Sequence, residues 1–119
     1  MSQQRRILVV EDEYLVAQDL AEDLRALGAQ VVGPVPSVQQ ALDAVDADPG
    51  LDGAILDINL RGRMIFPVAD QLAARSIPFF FTTGYDDGII PDRYAAVPRC
   101  EKPVTAPRLR QALAQSFDL

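Results

Sequence analysis

Histidine is absent from the 119 residues, and cysteine occurs once, at Cys100. Without histidine, no His-based catalytic triad and no His-ligated metal centre can be built. A lone cysteine leaves no partner for an internal disulfide and gives no sign of secretion. Basic residues are outnumbered, 11 Lys and Arg against 17 Asp and Glu, for a net charge of −6. A chain without a basic footprint is a poor candidate for direct DNA binding, and its acidity disfavours docking on anionic membranes. Long apolar runs are missing too. Ile7-Leu8-Val9-Val10 is far too short for a signal segment or a membrane span, and acidic residues follow at once. The expected location is cytoplasmic. No repeat, linker or low-complexity tract interrupts the chain.

What is present is an alternation of short apolar runs with segments of helical period, the pattern of an α/β domain with a parallel sheet. Arg6 to Val10 reads as a strand buried on both faces. From about Glu13 to Leu27 the period changes, with Val16, Leu20, Leu24 and Leu27 on one side and Gly28 as the stop. Val31 and Val32 suggest a second strand, ended by Pro34 and Pro36. Ser37 can cap a helix carrying Val38, Leu42 and Val45. Ala54-Ile55-Leu56 is the third strand. Pro67 suits the first turn of a helix turning Val68, Leu72 and Ala73 inward.

Pro78 to Thr82 forms the fourth strand, broken by Gly84. Asp86-Asp87-Gly88 and Pro91 then place breakers where the alternation calls for a helix, so a short or irregular fourth helix is expected. Val97 to Glu101 is a short fifth strand, and Thr105 can cap a final helix with Leu109, Leu113 and Phe117 inward. The whole matches an α/β, flavodoxin-like, doubly wound five-stranded parallel sheet of order 2-1-3-4-5.

In such a sheet, ligands bind beyond the carboxyl ends of the strands, where the strand order switches. The first strand ends at Glu11-Asp12 and the third at Asp57, so three carboxylates converge. Like charges at such range repel strongly unless a cation or a proton neutralises them. Oxygen ligands with an open position suit Mg²⁺, which shares its shell with phosphate. The fourth strand brings Thr83 and Gly84 to this rim, and the fifth brings Lys102. These parts suit phosphoryl transfer to Asp57, with Thr83 and Lys102 steadying the phosphoryl oxygens.

Each residue also has a plainer role. Glu11, Asp12 and Glu13 could serve the dipole at the start of the first helix, and Asp57 could simply begin a turn. These explanations would all have to hold together, each at the end of its own strand.

The stretches Ile7-Leu8-Val9-Val10-Glu11-Asp12-Glu13, Leu56-Asp57-Ile58-Asn59-Leu60, Thr83-Gly84 and Lys102-Pro103 together resemble the response-regulator receiver family over essentially the whole chain. That resemblance implies a phosphoprotein of a two-component system or phosphorelay, with Asp57 as phosphoacceptor. It implies Asp12 as a direct Mg²⁺ ligand, Glu11 as its companion through water, and the Asn59 main-chain carbonyl as a further ligand. Thr83 and Lys102 match the family's switch hydroxyl and phosphate-binding lysine. The donor implied is a phosphohistidine on a sensor histidine kinase or phosphotransfer protein, and no catalysis is expected beyond self-phosphorylation and autodephosphorylation.

The segment Phe79-Phe80-Phe81-Thr82-Thr83-Gly84-Tyr85 is similar to a Phe-x-Phe-Ala/Thr-Thr-Gly-Tyr subgroup of alphaproteobacterial receivers. Two departures stand out. Arg99 occupies the position of the usual switch aromatic, and the fourth helix is eroded. Tyr85 is a candidate to take over part of that aromatic's work.

Phe79, Phe80 and Phe81 read as core, Cys100 as a small buried hydrophobe, and Arg61 and Arg63 as solvated. Since the sequence closes at Phe117-Asp118-Leu119, the expectation is a single receiver domain over 1–119 without an output domain, signalling in trans through an unidentified protein or serving as a phosphate sink. A receiver-like scaffold that never carries phosphate is the alternative. A Mg²⁺-dependent phosphohydrolase fits less well, because the first strand lacks an Asp-x-Asp.

Overall fold

In the computed structural model, residues 4–84 and 90–117 are described. The strands are β1 (Arg6–Val10), β2 (Gln30–Val35), β3 (Gly53–Asp57), β4 (Asn59–Leu60), β5 (Arg63–Met64), β6 (Phe79–Thr83) and β7 (Arg99–Glu101). The helices are α1 (Tyr14–Ala26), α2 (Val38–Ala47), α3 (Phe66–Ala74) and α4 (Ala106–Phe117). Five strands form one parallel sheet in the order β2-β1-β3-β6-β7, and β4 and β5 make a separate antiparallel pair. This is the doubly wound arrangement expected, with the crossing from β1 to β3 at its centre.

Alternation along each strand sorts side chains to two cores. Leu8, Val10, Leu56, Phe79 and Phe81 face α2 and α3, while Ile7, Val9, Ile55 and Phe80 face α1 and α4. Both sets are buried, as a continuous apolar strand in a parallel sheet requires. Gly53 lets the final helix close on the sheet: a Cβ there would stand 2.8 Å from Cε1 of Phe117.

Ser37 caps α2 as expected, its hydroxyl accepting the Gln40 N–H at 3.1 Å. Thr105 stands at the start of α4, its Oγ1 accepting the Arg108 N–H at 3.4 Å. Several details differ from the reading of the sequence. Leu27 is 42% exposed, because α1 ends at Ala26 and Leu27 is already its C-cap; Ala17 and Ala21 share the inner face with Leu20 and Leu24. Ala73 is exposed, and α3 buries Val68, Ala69 and Leu72 instead.

Pro34, expected to end β2, lies within it. β2 is an edge strand, where a proline's missing donor costs no ladder bond, and the register against β1 shifts between Leu8 and Val10 to accommodate it. Pairing then resumes, with the Glu11 N–H donating to the Val35 carbonyl at 3.0 Å.

Between β6 and β7, the described residues hold one 3₁₀ turn, Asp92–Tyr94, where a fourth crossover helix would lie. Residues 85–89 lie outside the described residues. The fifth strand starts at Arg99 rather than Val97, whose N–H is engaged by the Tyr94 carbonyl at 3.1 Å.

Candidate functional site

Three strand ends deliver the acidic cluster. Glu11 and Asp12 follow β1, and Asp57 closes β3. Glu11, Asp12 and Asp57 each offer a carboxylate oxygen within 4.8 Å of the others. Glu11 and Asp57 are almost fully buried, at 3% and 2% exposure. Lys102, just beyond β7, reaches between them. Its Nζ donates to Asp57 Oδ2 at 3.0 Å and lies 2.9 Å from Glu11 Oε1.

Electrostatics follow from this packing. Burial, and then the charge of Glu11, push the Asp57 carboxyl up to about 7, with Lys102 pulling in the opposite direction. Burial by itself would lower Lys102, but its hydrogen bonds to Glu11 and Asp57 outweigh that and hold the ammonium above its ordinary range. Lys102 is the chain's only lysine. That singularity is visible in the sequence, and it marks the position independently of any motif.

The plainer roles are also partly real. Glu11 Oε2 accepts the Glu13 N–H at 3.0 Å, at the entry to α1, while the Glu13 side chain makes no cap. Asp57 Oδ1 accepts the Asn59 N–H at 3.3 Å, as a turn-forming aspartate would. In each case one carboxylate oxygen shapes the local backbone and the other faces Lys102.

Asn59 opens the β4–β5 ribbon, and its side-chain carbonyl accepts the Gly62 N–H at 2.7 Å. The two turn residues, Arg61 (φ 54°) and Gly62 (φ 90°), are both left-handed. Tight hairpins with this geometry favour Asn or Gly, and an arginine held there costs roughly 1–2 kcal/mol. Arg61, expected simply to be solvated, is 83% exposed yet brings Nε to 3.6 Å from Asp12 Oδ2. An exposed pair of this kind returns only about 0.2–1 kcal/mol.

Thr83 is half-buried at the end of β6, and its carbonyl accepts the Lys102 N–H at 2.9 Å. A cavity of about 270 Å³ between them is lined by Thr83, Gly84, Glu101 and Lys102. Tyr85 lies outside the described residues. Arg99 is exposed, with Nη2 on the Ala95 carbonyl at 3.4 Å. Cys100 is buried, which pushes its thiol up, as suits a small core residue.

The residue that sequence reasoning missed is Tyr94. It is 5% exposed, stacks on Phe66 and meets Phe79 and Phe81 edge-on. Its hydroxyl donates to Asp70 of α3, which also accepts two bonds from Arg93. An aromatic in a segment of breakers has no periodicity to place it.

Fold and rim together define a flavodoxin-like domain with an acidic pocket at its switch point. No family model matches the chain. The solution structure of SdrG from Sphingomonas melonis Fr1 is 45% identical, covering 96% of this chain and 97% of that one, with a TM-score of 0.85. SdrG in a BeF3-activated conformation, from Pseudomonas melonis Fr1, gives a TM-score of 0.79 at the same identity and coverage. The PhyR response regulator REC domain of Erythrobacter litoralis is 26% identical over 94% of this chain and 88% of that one, with a TM-score of 0.76.

Among curated proteins, the transcriptional regulatory protein PdtaR of Mycobacterium tuberculosis is 31% identical over 90 residues, 75% of this chain. The match spans 43% of that longer relative. The chain belongs to the response-regulator receiver family, and is thus a signalling module of two-component systems. No helix among the described residues is long and apolar enough to cross a membrane.

Proposed function

We propose that this domain accepts a phosphoryl group on Asp57, with Mg²⁺, and signals by phosphorylation-dependent binding to another protein. The observation that carries the reading is the clasp of Lys102 on Glu11 and Asp57, with Asp12 alongside. Three clustered carboxylates, two of them clasped by the partly buried Lys102 ammonium, leave excess negative charge in the pocket, and an all-oxygen donor set of this kind fits a hard divalent cation. Asp12, Asp57 and the Asn59 main-chain carbonyl would hold Mg²⁺, with Glu11 behind them through water. When bound, the ion supplies charge neutralisation for phosphoryl oxygens.

The chain's own residues do the rest. An Asp57 carboxylate oxygen attacks phosphorus, and the P–N bond of a phosphohistidine donor breaks. The electron pair stays on the imidazole nitrogen, which takes up a proton. Lys102 passes from Asp57 Oδ2 to a phosphoryl oxygen, and the Thr83 hydroxyl donates to another. Hydrolysis by water later returns the carboxylate and inorganic phosphate, so the chemistry is self-modification rather than turnover of a substrate. The donor is a sensor histidine kinase or a phosphotransfer protein. The activating chemistry is supported by the BeF3-activated form of SdrG.

Incubation with a small phosphodonor and Mg²⁺, followed by mass spectrometry, tests this. An adduct of one phosphoryl group, lost in Asp57→Asn, is expected. A receiver-like scaffold that binds partners without phosphate is the second reading, favoured by the exposed Arg99 in place of the switch aromatic. It prevails if no adduct forms even with a phosphorylated kinase. Tyr85 is proposed as part of the switch; unchanged phosphorylation-dependent binding in Tyr85→Ala removes it from that role.

A further inference from the structure

We propose that Arg61 is a tethered counter-ion of the acidic pocket, which an entering divalent cation must displace from Asp12. This rests on the phosphoacceptor reading and adds to it a residue that sets the pocket's cation affinity. Lys102 engages Glu11 and Asp57, so Asp12 is the carboxylate of the cluster that this ammonium leaves to another partner. The Arg61 guanidinium approaches it from the solvent side, with Nε 3.6 Å from Oδ2. The Asp12 side chain is 14% exposed, and a cation that takes Asp12 Oδ2 as a ligand competes with the guanidinium for that oxygen.

Three features of the turn point the same way. Arg61 sits at φ 54° in a hairpin position that favours asparagine or glycine. The backbone cost exceeds what an exposed ion pair returns to stability, so folding does not account for an arginine here. The hairpin is also registered on the site. Asp57 Oδ1 holds the Asn59 N–H, and the Asn59 side chain holds the Gly62 N–H, which fixes where the arginine stands relative to Asp12. Arg63, the other arginine of this loop, is exposed in β5 and forms no ion pair among the described residues.

Calorimetric titration of the full chain with MgCl₂ tests the proposal, in wild type, Arg61→Ala and Arg61→Gly at low and high salt. The loss of a competing exposed pair predicts Mg²⁺ binding roughly two- to five-fold tighter in both variants at low salt. The three isotherms should converge toward about 1 M monovalent salt, where the Debye length falls to about 3 Å. Arg61→Gly should also melt at a higher temperature than wild type without metal, because glycine relieves the left-handed backbone. Equal or weaker Mg²⁺ binding in both variants at low salt, with binding intact in wild type, overturns the proposal and leaves the phosphoacceptor reading standing. Wild type that binds no Mg²⁺ at all defeats that reading first, and this one with it.

Discussion

Asp57 and Lys102 belong to one cluster with Glu11, and each shifts the other's titration. Folding raises the Asp57 carboxyl from its usual 3.8 to about 7, so between those values the folded chain holds more protons than the unfolded one. Stability of the metal-free protein therefore falls as pH rises from about 4 to 7, and the loss is complete above that window. Asp57→Asn removes the titrating group. Its melting temperature should exceed wild type at pH 8 and approach it near pH 4, as followed by circular dichroism. The gain should come with loss of the phosphoryl adduct.

Lys102→Ala leaves Glu11 and Asp57 buried and facing one another. Since the ammonium is 23% exposed, a cost of roughly 1–3 kcal/mol is expected by chemical denaturation, together with loss of adduct at any Mg²⁺ concentration. The site was largely legible because its residues terminate strands, and strand ends are what apolar runs reveal best. That Glu11 and Asp57 would each divide their two oxygens between backbone and lysine was not legible, because spacing carries no information on which lone pair faces where.

At the scale of elements, Ser37 and Tyr94 make a contrast. Ser37 could be read as a cap from its place before an apolar period, and Ser37→Ala should cost about 1 kcal/mol while leaving phosphorylation unchanged. Tyr94 could not be read. Its ring fills the space among Phe66, Phe79 and Phe81, below a connection that carries only a 3₁₀ turn among the described residues.

Truncation to Tyr94→Ala should cost about 3–5 kcal/mol, whereas Tyr94→Phe keeps the ring and loses the bond to Asp70, for about 1 kcal/mol. Urea denaturation separates the two. Leu27, Ala73 and Pro34 share one cause of misreading. Periodicity assigns a face but not the residue at which a helix stops or a strand tolerates an irregularity. Those points are settled by capping and by position in the sheet, both tertiary facts.

For the molecule as a whole, the sheet order follows from the alternation of elements, and the pocket follows from the sheet order. Any ion that binds the folded pocket and not the unfolded chain adds stability in proportion to its occupancy. Saturating Mg²⁺ at about 100 times its dissociation constant should add about 2.7 kcal/mol, read as a rise in melting temperature that Asp12→Asn diminishes.

The irregular β2 has a consequence on this scale. An open parallel sheet has two rims, and each is a template on which a neighbouring chain could lay another strand. One rim is interrupted at Gly33 and Pro34, where a donor is missing and the register jumps. The other is only Arg99–Glu101, short and charged at both ends. Each rim therefore offers a neighbouring chain a poor template, and the sheet stops at five strands.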